Sequence, residues 1–323
     1  MNVRIVFIDQ LKGVAMLMVV FGHLMQFSFG VPHSTLEVIL ETFDLPLFFF
    51  ISGYFCYKGD IISMSSFGQL IAKKMRAYLL PLFSVGILHV WIDGYPLQNL
   101  LNGGGKLWFL YSLFVISAIS VILNQLSEFL QRDKQRWWID VLVYIIPYVS
   151  LIMIKYLCED NYHWLPVNSI VSFYRYFIIG MMIRKYSKLN GFVSQSQTAY
   201  MISVACFVVG VIYANYINTA LIFLSALGGI IVLWNFFQHI EKPSMATSAL
   251  TKIGKHTLAI YVFHYFFLPD LSYFSTYINT NHQFILQLAL CLAASSVIIT
   301  LCVFIENLID RSALLRFVLL GKK

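Results

Sequence analysis

QLKGVAMLMVVFGHLMQFSF, residues 10–29, contains no acidic residue and only two basic or imidazole side chains, Lys12 and His23. An α-helix of that length rises about 30 Å, which matches the hydrocarbon core of a bilayer. Working outward, comparable apolar runs recur near residues 43–58, 77–92, 106–124, 137–156, 167–184, 199–217, 219–240, 256–275 and 282–309. The composition agrees: 59% of the 323 residues are hydrophobic and 11% charged, too few charges to cover a water-soluble globule. The solvent for most of the surface is therefore lipid. These observations predict an all-α, polytopic integral membrane protein of about ten transmembrane helices, with residues 1–323 forming a single transmembrane domain. Pro46 and Pro81 mark the second and third runs as broken or cavity-lining helices.

The formal net charge is +7. In a soluble chain that value would suggest nucleic acid, but here the cations cluster between apolar runs and read as a topology signal, with no nucleic-acid partner. If the amino terminus is cytoplasmic, the inner loops receive 18 of the 22 Lys and Arg residues, from Arg4 through Lys58, Arg132, Arg184 and Lys242 to Lys323. Both termini are thus predicted to be cytoplasmic. The first run follows Asp9 and Lys12 and ends without a small-residue cleavage pattern, so it is expected to stay in the membrane. The outward loops carry Asp93, Glu159, Asp160, His163 and His282 and are short, which places any chemistry within the bundle. The five cysteines show no paired spacing and read as small packing residues, and no metal site is expected.

An ionisable side chain inside a span costs about 2.5–3.5 kcal/mol on insertion scales, so each is a functional candidate. Lys12 and His23 are separated by ten residues, which on a helix gives about 16 Å of rise and an offset of about 20°. They share one face at different depths. The rise is of the order of a pantetheine arm, so the cation could hold phosphate while the imidazole meets a thioester and takes a proton from an attacking hydroxyl. The structural reading of the same residues is a snorkelling lysine and a histidine bonded to a neighbouring helix.

Lys73 and Arg76 form an i, i+3 basic pair before Pro81 and could clamp phosphates, or could simply meet anionic lipid. Arg175, between Tyr174 and Tyr176 in mid-span, is expected to face a polar cavity or a carboxylate and joins the donor-binding candidates. Glu37, Glu41 and Asp44 follow the first span, and one of them could orient His23 as a carboxylate does in hydrolase triads. Glu41 and Asp44 are carried as catalytic candidates with His23. His264 reads as a packed or hydrogen-bonded histidine, and Ser52 and Gly53 as a site of close helix packing. No Walker loop, dinucleotide fingerprint or metal-ligand motif is present.

Taken in order, FIDQLKGVAMLMVVFGH, FDLPLFFFISGYF, KKMRAYLLP, LWFLYSLFVI and IGKHTLAIYVFH resemble the membrane acyltransferase-3 family from Phe7 to about His264. The resemblance implies a ten-helix enzyme of the bacterial cytoplasmic (inner) membrane. Such an enzyme moves an acyl group, usually acetyl, from cytosolic acyl-CoA to a hydroxyl of a surface or lipid-linked glycan, as stand-alone members do. It maps a basic-x10-His motif onto Lys12 and His23 and a basic-x-x-Arg motif onto Lys73 and Arg76. Lysine stands where arginine is common at both first positions, which keeps the charge and loses bidentate phosphate geometry. The expected partners are acetyl-CoA or another short acyl-CoA, a glycan or lipid-linked sugar acceptor and membrane lipid, with monomer and homodimer both open. A polysaccharide or lipid-linked sugar transporter that performs no acyl transfer, or a non-catalytic membrane receptor, would use some of the same features.

Overall fold

A computed structural model describes residues 5–31, 39–59, 63–94, 96–103, 105–132, 136–157, 166–213, 219–240, 242, 244–275 and 284–322. Glu37 lies outside them. The described residues form helices and turns, with no strand. In chain order the α-helices are α1 (Val6–His23), α2 (Asp44–Cys56), α3 (Met64–Lys74), α4 (Leu80–Asp93), α5 (Leu97–Leu101), α6 (Trp108–Leu130), α7 (Trp137–Leu157) and α8 (Val167–Lys185). They continue with α9 (Ser187–Gln195), α10 (Gln197–Ile212), α11 (Thr219–Gln238), α12 (Met245–Lys255), α13 (Thr257–Phe263), α14 (Phe284–Ile309) and α15 (Ala313–Leu320). Serine begins several of them. The side chains of Ser63, Ser196, Ser244 and Ser312 accept from backbone N–H groups three residues on, satisfying donors that a helix start leaves open.

Seven helical stretches among the described residues are long and apolar enough to cross a membrane: Val6–Ser28, Ile39–Cys56, Ser65–Asp93, Leu97–Leu130, Trp137–Leu157, Thr219–Gln238 and Ile285–Ile309. The bent pair α9 and α10, which turn 70° at their junction, would make eight. Of the remaining apolar runs in the sequence, α8 carries Arg175, Arg184 and Lys185, and Thr257–Phe267 is a shorter apolar helix. The chain is a multi-pass membrane protein.

Its helices group into two compact units: Met1–Phe48 with Ser187–Leu308, and Phe49–Tyr186 with Ile309–Lys323. In the first unit α1 and α12 meet backbone to backbone. A Cβ on Gly13 would strike the Leu250 carbonyl, and one on Gly254 the Asp9 carbonyl. Close approach of this kind suits helices in lipid, where packing supplies most of the attraction. The same device joins α10 and α11, with Gly228 against the Ser203 carbonyl.

In the second unit Gly53 of α2 lies against the Phe177 carbonyl and Gly180 of α8 against the Phe50 carbonyl. The close packing expected at Gly53 is thus present. This unit also buries an ion cluster. The Lys185 ammonium lies 2.9 Å from carboxylate oxygens of both Glu128 and Asp140, and Asp140 also accepts hydrogen bonds from Ser127, Gln131 and Tyr186.

Candidate active site

The catalytic candidate His23 is the last residue of α1, and the helix then widens into a π-helical segment, Leu24–Ser28. Facing it, α13 ends at Phe263 and tightens into a 3-10 turn, His264–Phe267, just before Pro269. The main-chain N–H of Leu271 donates to the Ser28 carbonyl at 2.9 Å, so the two irregular segments are clipped together. Such departures from α geometry re-aim side chains and recur at functional sites. Here they bring His264 and Tyr265, adjacent in the chain, onto one imidazole.

The Nδ1 of His23 lies 2.7 Å from Nε2 of His264, and the Tyr265 hydroxyl lies 3.0 Å from Nε2 of His23. The two imidazoles are within 4° of parallel with centroids 4.9 Å apart. Their nitrogens are far closer than their centres, so the rings meet edge to edge, as a hydrogen bond requires. Nδ1 of His264 lies 2.8 Å from the Tyr261 carbonyl and 3.0 Å from that of Ile260.

Carbonyl oxygens only accept, so Nδ1 of His264 carries the hydrogen. In the neutral ring Nε2 of His264 is then an acceptor, and Nδ1 of His23 must donate to it. This leaves the lone pair of His23 on Nε2, where the Tyr265 hydroxyl donates. The order of hydrogens is therefore Tyr265 to His23 to His264 to main chain. His264 is fully buried, whereas His23 and Tyr265 are half-buried.

The nitrogen that the sequence reading would give to Glu41 or Asp44 is thus taken by His264. Glu41 lies beside Gly22, with its Cγ 3.9 Å from the place a Cβ would occupy there. Asp44 is buried at the start of α2 and accepts from the Leu45 amide at 2.5 Å. The two ring nitrogens of His23 meet His264 and Tyr265. Lys12 is half-buried on α1, one residue before the Gly13 contact with α12.

The second basic motif lies in the other unit. Lys73 falls in the last turn of α3, and Arg76 in a second π-helical segment, Met75–Leu79. Both line a cavity of about 910 Å³ together with Ser66, Gln69, Phe83 and Phe317. Arg76 donates through Nε to the Gly321 carbonyl at 3.2 Å. Arg175 lies with its guanidinium 5.2 Å from the Tyr176 ring centre, a cation–π contact. No group of three or more metal-ligating side chains occurs among the described residues.

The chain matches the acyltransferase-3 family, described as an acyltransferase domain, over residues 5–306. It belongs to that family. No curated protein and no solved structure matches it. As an acyltransferase-3 protein it is a membrane acyltransferase, and family membership decides against the transporter and receptor readings that the sequence left open. His264 and Tyr265, which meet His23 in this acyltransferase, are not among the candidate site residues marked in the sequence. The insertion cost that singled out His23 applies equally to His264, which stands within the apolar run 256–275.

Proposed function

We propose that this acyltransferase moves a short acyl group, acetyl first among them, from cytosolic acyl-CoA to a hydroxyl of a cell-surface or lipid-linked glycan. His23 is the general base. The reading includes ten spans in one transmembrane domain, both termini in the cytoplasm and a bacterial inner-membrane location. The single observation that supports it most is the hydrogen-bond order around His23, which leaves Nε2 with a lone pair turned toward a hydroxyl group.

In the proposed step an acceptor hydroxyl takes the position of the Tyr265 O–H and attacks the thioester carbonyl. Its proton passes to Nε2 of His23, the carbon–sulfur bond breaks, and the departing CoA thiolate recovers that proton. Lys12 is assigned to the donor's phosphates, since its distance along α1 from His23 is of the order of a pantetheine arm. Lys73 and Arg76 are assigned to phosphate as well, on the strength of the cavity they line. Arg175 is retained as a donor-binding candidate, and Glu41 and Asp44 as acids near the site that would act without touching Nδ1 of His23.

The test is free-thiol release from acetyl-CoA by the purified chain in nanodiscs, with a glycan acceptor, beside a His23→Ala protein. Loss of a general base lowers turnover by a factor of about 100 to 10,000. A folded His23→Ala protein with undiminished transfer would remove His23 from the chemistry. Transfer from succinyl-CoA alone would replace acetyl as the donor group.

A further inference from the structure

A lone imidazole in an apolar bundle is a poor general base for two reasons. Either nitrogen can hold the proton, so half of its purpose is lost to the wrong tautomer, and the imidazolium formed on reaction is unsolvated. Hydrolases solve both problems with a carboxylate on Nδ1. A carboxylate, however, is charged before the reaction starts, and an isolated charge held within a membrane span is costly.

We propose that His264 is the positioning residue that replaces this carboxylate, holding His23 in the Nδ1–H tautomer and taking up the charge when His23 reacts. The inference rests on His23 being the base. Nε2 of His264 accepts from Nδ1 of His23 at 2.7 Å, while its own Nδ1–H is committed to the carbonyls of Tyr261 and Ile260. These carbonyls belong to the last turn of α13, at the negative end of the helix dipole, and the Ile260 carbonyl also accepts from the main-chain N–H of His264.

When Nε2 of His23 receives the acceptor's proton, the proton on Nδ1 shifts toward Nε2 of His264. One proton enters the pair and one moves within it. The positive charge then resides on a ring whose far N–H already points at two carbonyl oxygens. The resting pair is neutral, so the arrangement supplies the orienting function of a carboxylate without burying a charge beforehand.

The test compares wild type with His264→Phe and His264→Gln in nanodiscs. The glutamine amide oxygen can accept near the place of the lost Nε2, whereas phenylalanine keeps a ring and accepts nothing. For thiol release, His264→Phe is expected to lower kcat about 10-fold to 1,000-fold with KM for acetyl-CoA nearly unchanged, below the loss of about 10,000-fold seen when a triad tautomer is inverted. His264→Gln should recover most of that loss. Independently of turnover, nitrogen NMR of histidine-labelled protein, with the His23 signals assigned by difference from His23→Ala, should show Nδ1 protonated and Nε2 unprotonated in wild type. That pattern should be lost in His264→Phe and kept in His264→Gln.

Wild-type kcat in His264→Phe would overturn the proposal. So would equal impairment of both variants at unchanged melting temperature, which would mean that only shape matters. A wild-type chain that turns over no acyl-CoA would defeat the acyltransfer reading, and the NMR tautomer would still decide whether His264 sets the state of His23.

Discussion

Arg76 donates through its Nε to the main-chain carbonyl of Gly321, 3.2 Å away and 245 positions later in the chain. Gly321 ends α15 with a φ of +59°, in the left-handed region, and a Cβ there would strike the Arg76 carbonyl. Ser84 of α4 also donates to the Val318 carbonyl, at 2.8 Å. The carboxy-terminal helix is thereby pinned against the segment that carries the second basic motif. One edge of the guanidinium is held by protein, and the remaining N–H groups are left for other partners.

Gly321→Ala therefore tests whether α15 aims Arg76 at the donor. The left-handed conformation costs a non-glycine residue about 1–2 kcal/mol, and the clash adds to that. If the motif holds donor phosphate, KM for acetyl-CoA should rise about tenfold, the factor that corresponds to about 1.4 kcal/mol. The kcat for thiol release should change less. An unaltered KM in steady-state kinetics would detach the carboxy-terminal helix from donor binding.

The backbone contacts of Gly13 and Gly254 carry a second prediction. At both positions the obstructing atoms are main-chain carbonyls of Leu250 and Asp9, which cannot rotate away as a side chain can. Gly13→Ala and Gly254→Ala should each force α1 and α12 apart and destabilise the chain by about 1–3 kcal/mol. Gly68 of α3 is the control, because a Cβ there meets nothing within 4 Å. Gly68→Ala should be neutral or stabilising by up to about 1 kcal/mol, since alanine favours helix. Thermal unfolding in a fixed detergent would compare the three, and equal melting temperatures would contradict the close approach.

Much of this architecture could be read from the chain because span length and hydropathy are local properties. Each apolar run marked in the sequence contains a helix, and Lys12 and His23 fall on α1 as their spacing requires. The composition of a site assembled from distant segments is not local. His264 lies 241 positions from His23 and looks in isolation like any packed histidine. Nothing in the spacing of Glu41 or Asp44 could reveal that another imidazole occupies Nδ1. The 70° bend between α9 and α10 and the 3-10 turn at His264 likewise depend on tertiary packing. Lys185 shows the same limit most sharply: beside Arg184 and Lys188 it reads as an ordinary loop cation.

Lys185 is instead buried, its side chain 1% exposed like that of Asp140, with Glu128 17% exposed. One ammonium serves two carboxylates, and hydroxyl groups of Ser127 and Tyr186 meet the remaining negative charge on Asp140. Removing one partner of such a buried pair costs about 3–5 kcal/mol, because the other charge is left without compensation. Lys185→Met should therefore lower the melting temperature by at least about 5 °C, at about 2–4 °C per kcal/mol for a large domain. Lys322→Met provides the contrast: its pair with Asp310 is 37% exposed on both sides, and a pair of that kind contributes at most about 1 kcal/mol. Adding Asp140→Asn to Lys185→Met should restore part of the loss by removing one of the two stranded carboxylates. If the double variant is no more stable than the single one, the cost lies in lost packing around the lysine stem and not in unpaired charge.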